Sequence, residues 1–159
     1  MKNLTIRTAL PADTALILSF IKELAEYEKM LDLVIADEKT LHEHIFTKAR
    51  AEAIILEEDG LPVGYSLFFH NFSTFLGRSG IYIEDIYVSP AFRGKGYGKA
   101  VFAYLAKLAQ ARDCGRIEWA CLDWNAPSIS FYKSLGAVCM DEWKIFRLDA
   151  EQIEKMNNI

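Results

Sequence analysis

Three glycines alternate with larger residues in Arg93-Gly94-Lys95-Gly96-Tyr97-Gly98, between a strand-forming run and a run of helical periodicity. Glycine loses more backbone freedom on ordering than any other residue, so a cluster at an ordered junction answers a backbone requirement. Without side chains, successive N–H groups can converge on an anion, and the following helix brings the positive end of its dipole to the same place. Arg93 and Lys95 add mobile positive charge. The combination suits a diphosphate. Two common diphosphate loops are excluded by their residues. A P-loop ends in Gly-Lys-Ser/Thr, whereas Gly98-Lys99 is followed by Ala100, leaving no hydroxyl for Mg²⁺. A dinucleotide fingerprint is spaced G-x-G-x-x-G, and this loop is G-x-G-x-G. A flexible turn with tight helix packing is the structural alternative.

The flanking pattern predicts one α/β domain over 1–159, since no linker, repeat or low-complexity tract interrupts it. Leu4 to Thr8 reads as a strand. Pro11 and Asp13 suit the first turn of a helix running to about Lys29, and a second helix spans about Asp37 to Lys48. Strands follow at 51–58 and 61–71, joined by the turn signal Glu58-Asp59-Gly60. After a polar loop around 73–80 comes the strongest strand, Ile81 to Val88, closed by Ser89-Pro90. A helix is predicted over about 97–112, a strand over 117–122, and a short helix over 126–135 that stops at Gly136. Segments 137–140 and 144–148 read as a last pair of strands. This order suggests a mixed α/β sheet with helices on both faces.

The chain has 159 residues, a formal net charge of −4, 52% hydrophobic and 25% charged residues. It is long enough for a core of its own. The acidic balance argues against a nucleic-acid partner and is compatible with a cationic one. Cys114, Cys121 and Cys139 are odd in number and lack CxxC spacing, so neither a disulfide framework nor a zinc site is expected, and reducing cytosol is the default compartment. Met1-Lys2-Asn3 runs directly into a strand without a leader pattern, and no apolar stretch approaches membrane-spanning length. His42 and His44, two apart on a helix, do not share a face for a metal. Cys121 reads as a core residue of a buried strand.

The loop Arg93 to Gly98 resembles the R/Q-x-x-G-x-G/A acetyl-CoA motif of the GNAT N-acetyltransferase superfamily. The strand Ile83-Glu84-Asp85-Ile86-Tyr87-Val88 and the segment Asp123-Trp124-Asn125-Ala126-Pro127-Ser128-Ile129-Ser130-Phe131-Tyr132-Lys133 are similar to that superfamily as well. They resemble in particular its diamine branch, which acetylates spermidine, spermine or thialysine, and Lys22 to Glu28 is similar to that branch too. The resemblance covers nearly the whole chain. It implies the GNAT fold with a mostly antiparallel sheet, acetyl-CoA as acetyl donor, a small amine acceptor and a homodimer. It implies cofactor contacts at Ile86, Tyr87, Val88, at Arg93, Gly94, Lys95, Gly96, Tyr97, Gly98 and Lys99, and at Asn125, Ala126, Pro127 and Ser128. The thioester carbonyl would meet a backbone N–H of the strand before the loop, with pantetheine paired to 86–88 like an added strand.

Acetylating an amine at neutral pH needs a base, because an alkylammonium of pKa ~10.4 is deprotonated in only about one molecule in two thousand. Glu84 and Asp85 are the candidates in an otherwise apolar strand. Adjacent strand residues point to opposite faces, so both cannot line one site equally, and pattern does not choose between them. The resemblance favours Glu84 as base and substrate contact, leaving Asp85 to orient a loop or meet a basic residue. Tyr132, a phenol protonated at neutral pH, is the candidate acid for the leaving thiolate; packing is its alternative role, as for Phe131. Tyr27 and Glu28, at the end of the first helix, could hold the distal ammonium of a diamine or simply finish an amphipathic helix. Asp141 and Glu142 form another acidic pair, but the chain is shorter than the branch there and neither can be aligned. A lysine or N-terminal protein acetyltransferase and a non-catalytic acyl-CoA-binding regulator are the competing functions.

Overall fold

The computed structural model describes residues 3–157; the expectations for Met1-Lys2 and for the last two residues, 158 and 159, lie outside it. Contacts group the chain into two compact units, one extending to Ala120 and one beginning at Cys121.

The first unit is built on five strands in the order β1-β2-β3-β4-β5, namely β1 (Leu4–Thr8), β2 (Glu52–Glu58), β3 (Leu61–Ser73), β4 (Arg78–Val88) and β5 (Ile117–Trp119). The first four are antiparallel neighbours, and β5 runs parallel to β4. The turn after β2 places Asp59 and Gly60 at φ 53° and 82°, left-handed at both central positions, as a tight hairpin between twisted strands requires. The β3–β4 ladder continues to Ser73 opposite Arg78, so the loop expected around 73–80 is confined to 74–77.

Between β1 and β2 lie α1 (Thr14–Tyr27) and α2 (Glu38–His42), the latter continued by a π-helical turn, Glu43–Thr47. The entry to α1 is fixed by charge. Arg7 on β1 binds both oxygens of Asp13, at 2.7 and 2.9 Å, and Asp13 accepts from the Leu10 N–H. The Arg7 hydrogen bond holds the Asp13 carboxyl below its ordinary range. Asp37 starts α2 by accepting from the Thr40 N–H at 2.7 Å. After β4 the chain turns through the glycine loop into α3 (Tyr97–Ala111).

Alternation along β2 sorts the core. Ile54 and Leu56 face Val101 and Leu105 of α3, while Ala53 and Ile55 face Ile17 and Phe20 of α1. The sheet is therefore covered on both sides, as the sequence pattern predicts. Two bulges modify it, one in β3 at Val63, between the pairs Leu56–Gly64 and Glu57–Pro62, and one in β4 at Glu84, between Asp85–Leu67 and Ile83–Phe68. Gly64 permits a close approach of the two long strands, since a Cβ there would lie 2.3 Å from the Tyr87 carbonyl oxygen.

The second unit contains α4 (Ala126–Ser134) and α5 (Ala150–Met156). The Asn125 side chain accepts from the Ser128 N–H at 3.3 Å, and Gly136 ends the α4 turn at φ 87°. Asp149 and Gln152 cap α5 reciprocally, at 3.0 and 3.2 Å. The strands expected at 137–140 and 144–148 are not formed. Residues 137–149 are irregular and expose Val138, Met140, Trp143, Ile145 and Phe146. A strand-like pattern is realised only against a neighbouring ladder, and among the described residues no segment of this unit supplies one. Cys121 is likewise exposed rather than buried, because β5 ends at Trp119.

Replacing Gly64 by alanine should push the Tyr87 carbonyl away and cost about 1–3 kcal/mol, as overpacking does. Chemical denaturation of Gly64→Ala measures this; unchanged stability would show that the approach is not tight.

Candidate active site

β5 pairs with β4 only over Ile81, Tyr82 and Ile83, and among the described residues no strand continues that pairing along Glu84 to Val88. The orientation of this segment follows from its contacts with β3. Ser66 Oγ donates to the Asp85 carbonyl at 2.8 Å, and the Tyr87 carbonyl lies against Gly64. Asp85 and Tyr87 thus turn their backbone groups toward β3. By alternation, Ile86 and Val88 turn theirs to the opposite edge, where an extended ligand could add as a further strand. The expected contact run 86–88 divides accordingly, with Ile86 and Val88 offering backbone and Tyr87 offering its ring to the α1 side.

The bulge changes the side chains as well. Ile83 belongs to the α3-facing core, whereas Tyr87, an even number of residues on, belongs to the α1-facing core. One extra residue, Glu84, accounts for the switch, and in a bulge the two residues opposing one partner no longer point strictly apart. Strict alternation is relaxed at the bulge, yet the two carboxylates remain unequal, Asp85 turned inward to Tyr65 and Glu84 exposed. Both charges act on the Tyr65 phenol, which also feels Glu28 from the end of α1. Tyr65 donates to Asp85 Oδ2 at 2.5 Å, so Asp85 meets a strand phenol where a loop or a basic residue was expected. Burial, followed by these negative charges, pushes the Tyr65 phenol well up. Burial also raises Asp85, and burial followed by the Asp85 charge raises Glu28. Glu84 itself is exposed.

Beside this acidic group, Tyr87 donates to Glu23 Oε2 at 3.0 Å. Arg93 closes the arrangement. Its Nε donates to the Val88 carbonyl at 2.8 Å, and its guanidinium lies 4.8 Å from the Tyr27 ring centroid and 5.6 Å from that of Tyr87. One side chain thus joins the glycine loop, the end of β4 and the end of α1, bringing Tyr27 and Glu28 into the same region as β4.

In the loop, Gly94 and Gly96 adopt φ 76° and 83°, and a Cβ at either would meet nothing within 4 Å. An open concavity of left-handed backbone precedes α3, whose first-turn N–H groups lack intrahelical acceptors. This fits a diphosphate. Lys95 departs from its expected role as mobile charge, because its Nζ is held by Glu58 at 2.8 and 3.2 Å. Lys99 lies one turn further, in α3. In the second unit, Asn125, Ala126, Pro127 and Ser128 form the cap and first turn of α4, and Tyr132 lies in its last turns with its ring 5.5 Å from that of Phe131.

Sequence spacing does not point to Tyr65, Glu23, Gly64 or Glu58. The one available signal is at Glu58, a carboxylate ending an apolar strand immediately before a turn.

The sequence profile of the acetyltransferase (GNAT) family matches residues 18–137, and the chain belongs to that family. It is 38% identical to the thialysine N-epsilon-acetyltransferase of Bos taurus, with 98% of both chains covered. It is 28% identical to the L-ornithine N5-acetyltransferase of Arabidopsis thaliana, covering 97% of this chain and 88% of that protein. An integron cassette protein from the mobile metagenome of V. cholerae has the same fold, with a TM-score of 0.80 at 24% identity over 98% of both chains. The chain is an N-acetyltransferase acting on an amine, and its acetyl donor is acetyl-CoA. No helix among the described residues is long and apolar enough to cross a membrane.

Glu28 carries a raised pKa, so its ionised form costs stability above that pKa, and the cost disappears below its ordinary carboxyl range. Glu28→Gln should therefore raise Tm at pH 7 and lose this advantage as pH falls below about 4. Thermal unfolding at the two pH values checks the sign; a lower Tm at pH 7 would contradict it.

Proposed function

We propose that the chain transfers acetyl directly, within a ternary complex, from acetyl-CoA to a primary amine of a small diamine, polyamine or thialysine-like substrate. The observation that carries this reading is the inward-turned Asp85, hydrogen-bonded to Tyr65 beside the open edge of β4, with the Glu28 and Glu84 charges acting on the same phenol. A second ammonium on the acceptor would offset carboxylate charges that burial and mutual repulsion make costly. The names of the relatives agree with such an acceptor, thialysine and ornithine each carrying a side-chain amine.

Acetyl-CoA supplies an acetyl group activated as a thioester. Glu84, exposed on the bulge, takes the proton from the acceptor ammonium, directly or through one water. Ile86 and Val88 hold the donor's extended arm by backbone pairing, and fixed N–H donors of that strand stabilise charge on the carbonyl oxygen. The freed amine attacks the thioester carbon; as the C–S bond breaks, Tyr132 would donate its proton to the leaving thiolate and regain, through solvent, the second proton that the new amide nitrogen sheds. Glu28 and Tyr27 hold the acceptor's distal ammonium. The family match runs from residue 18 to 137, across the boundary between the two compact units, which supports reading the chain as one catalytic domain. We assign the protein a cytoplasmic location on its odd cysteine count without CxxC spacing, and a homodimeric state on the family resemblance.

Release of free thiol from acetyl-CoA across a panel of diamines, thialysine, lysine and peptides tests the substrate class. Thialysine or a diamine should give kcat/KM at least about tenfold above any peptide; a preferred peptide would overturn the assignment. Glu84→Gln should lower turnover at pH 7 by about a hundredfold, with the deficit shrinking toward pH 10 as free amine accumulates. A pH–rate profile parallel to that of the unsubstituted enzyme would remove Glu84 from the base role.

A further inference from the structure

Glu58 is the last residue of β2 and is only 4% exposed, although Ile54 and Leu56 on the same face are buried apolar core residues. A carboxylate in such a place costs several kcal/mol unless it is paired and hydrogen-bonded. Its partners come from 37 and 39 residues further along the chain. Lys95 Nζ contacts both carboxylate oxygens, at 3.2 and 2.8 Å, and the Tyr97 phenol donates to Oε2. The Lys95 ammonium also lies 4.7 Å from the ring centroid of Phe92, on the other side of the loop's first residue. Lys95 stands between the two left-handed glycines, and Tyr97 is the first residue of α3. The hydrogen bond from Tyr97 to Glu58, above all, pushes that phenol up to about 12, so it remains a donor throughout the working pH range.

These contacts account for how a loop with three glycines keeps one shape. Gly94 and Gly96 give their backbone the left-handed conformation but no side chain with which to anchor it. The two intervening side chains fold back onto a single buried carboxylate and leave the opposite, open side to backbone N–H groups. Resting on the reading of this loop as the diphosphate site of acetyl-CoA, we propose that Glu58 is a positioning residue for donor binding. It clamps Lys95 and Tyr97 so that the loop amides are set for the diphosphate before the donor arrives. Lys95 then serves the diphosphate through this hold, its charge being neutralised by Glu58, rather than as a direct ionic contact.

The test compares binding of CoA and of pantetheine, which lacks the diphosphate, to the full chain and to Glu58→Gln, Lys95→Met and the double variant. Glu58→Gln conserves volume and keeps an acceptor for Tyr97; Tyr97→Phe, which removes one hydroxyl, replaces it should it fail to fold. The expected result is a Kd for CoA raised about tenfold in Glu58→Gln, the loss of one charge-assisted contact, with pantetheine affinity unchanged. The KM for acetyl-CoA should rise in parallel, while turnover at saturating donor stays within about twofold. The double variant should bind CoA no worse than the weaker single variant, because one clamp is being removed twice. Unchanged CoA affinity in Glu58→Gln, or additive losses in the double variant, would overturn the proposal while leaving the diphosphate site intact. Equal affinity of the unsubstituted chain for CoA and pantetheine would overturn it at its premise, and is recognised without any variant.

Discussion

At Glu84, β4 carries one residue more than β3 opposes, and the strand exchanges its faces there. Before that residue, Ile81 and Ile83 pack toward α3; beyond it, Tyr87 packs toward α1. A regular strand would have kept Asp85 in phase with Ile81 and Ile83, on the α3-facing side and away from Tyr65. The bulge instead delivers Asp85 to the Tyr65 phenol and leaves Glu84 exposed next to it. The same dislocation fixes which backbone groups face the free edge, since Ile86 and Val88 are in phase with it only because of the extra residue. The acid–base and donor-docking roles proposed for this strand thus rest on one irregularity in it.

The elements around it hold that irregularity in place at two points. Gly64 lets β3 approach the Tyr87 carbonyl, and Ser66 donates to the Asp85 carbonyl, so the strand beyond the bulge is registered from one side. Arg93 registers it from its end, through the Val88 carbonyl and the rings of Tyr27 and Tyr87. The cost is electrostatic. Glu28, Asp85 and Glu84 share a region in which Glu28 and Asp85 are both raised, and folding tolerates this because the remainder of the sheet is covered on both faces. A second ammonium on the proposed acceptor would offset this cost.

Much of this is legible locally. The alternating glycines, the apolar strand before them and the helical repeat after them each depend on neighbours a few residues away, and all three stand where the spacing puts them. Asp59-Gly60 is equally readable, because a two-residue hairpin has few chemical solutions. What cannot be read depends on distant partners. The bulge exists only relative to β3, so strict alternation assigns Glu84 and Asp85 to opposite faces. Lys95 reads as a mobile cation until Glu58, far away in sequence, takes its charge. The segments 137–140 and 144–148 have a strand's composition, yet composition supplies no ladder. Cys121 follows the same rule, since the strand expected to bury it stops at Trp119.

Amide hydrogen exchange, followed by NMR as CoA is added, tests the central claim most directly, because it reads the edge of β4 one backbone group at a time. Ile86 and Val88 should slow by at least about tenfold on saturation, whereas Tyr87, whose backbone faces β3, should change little. Slowing at Tyr87 with Ile86 and Val88 unaffected would mean that the strand is in the opposite phase, and the bulge at Glu84 could not then be what sets the site.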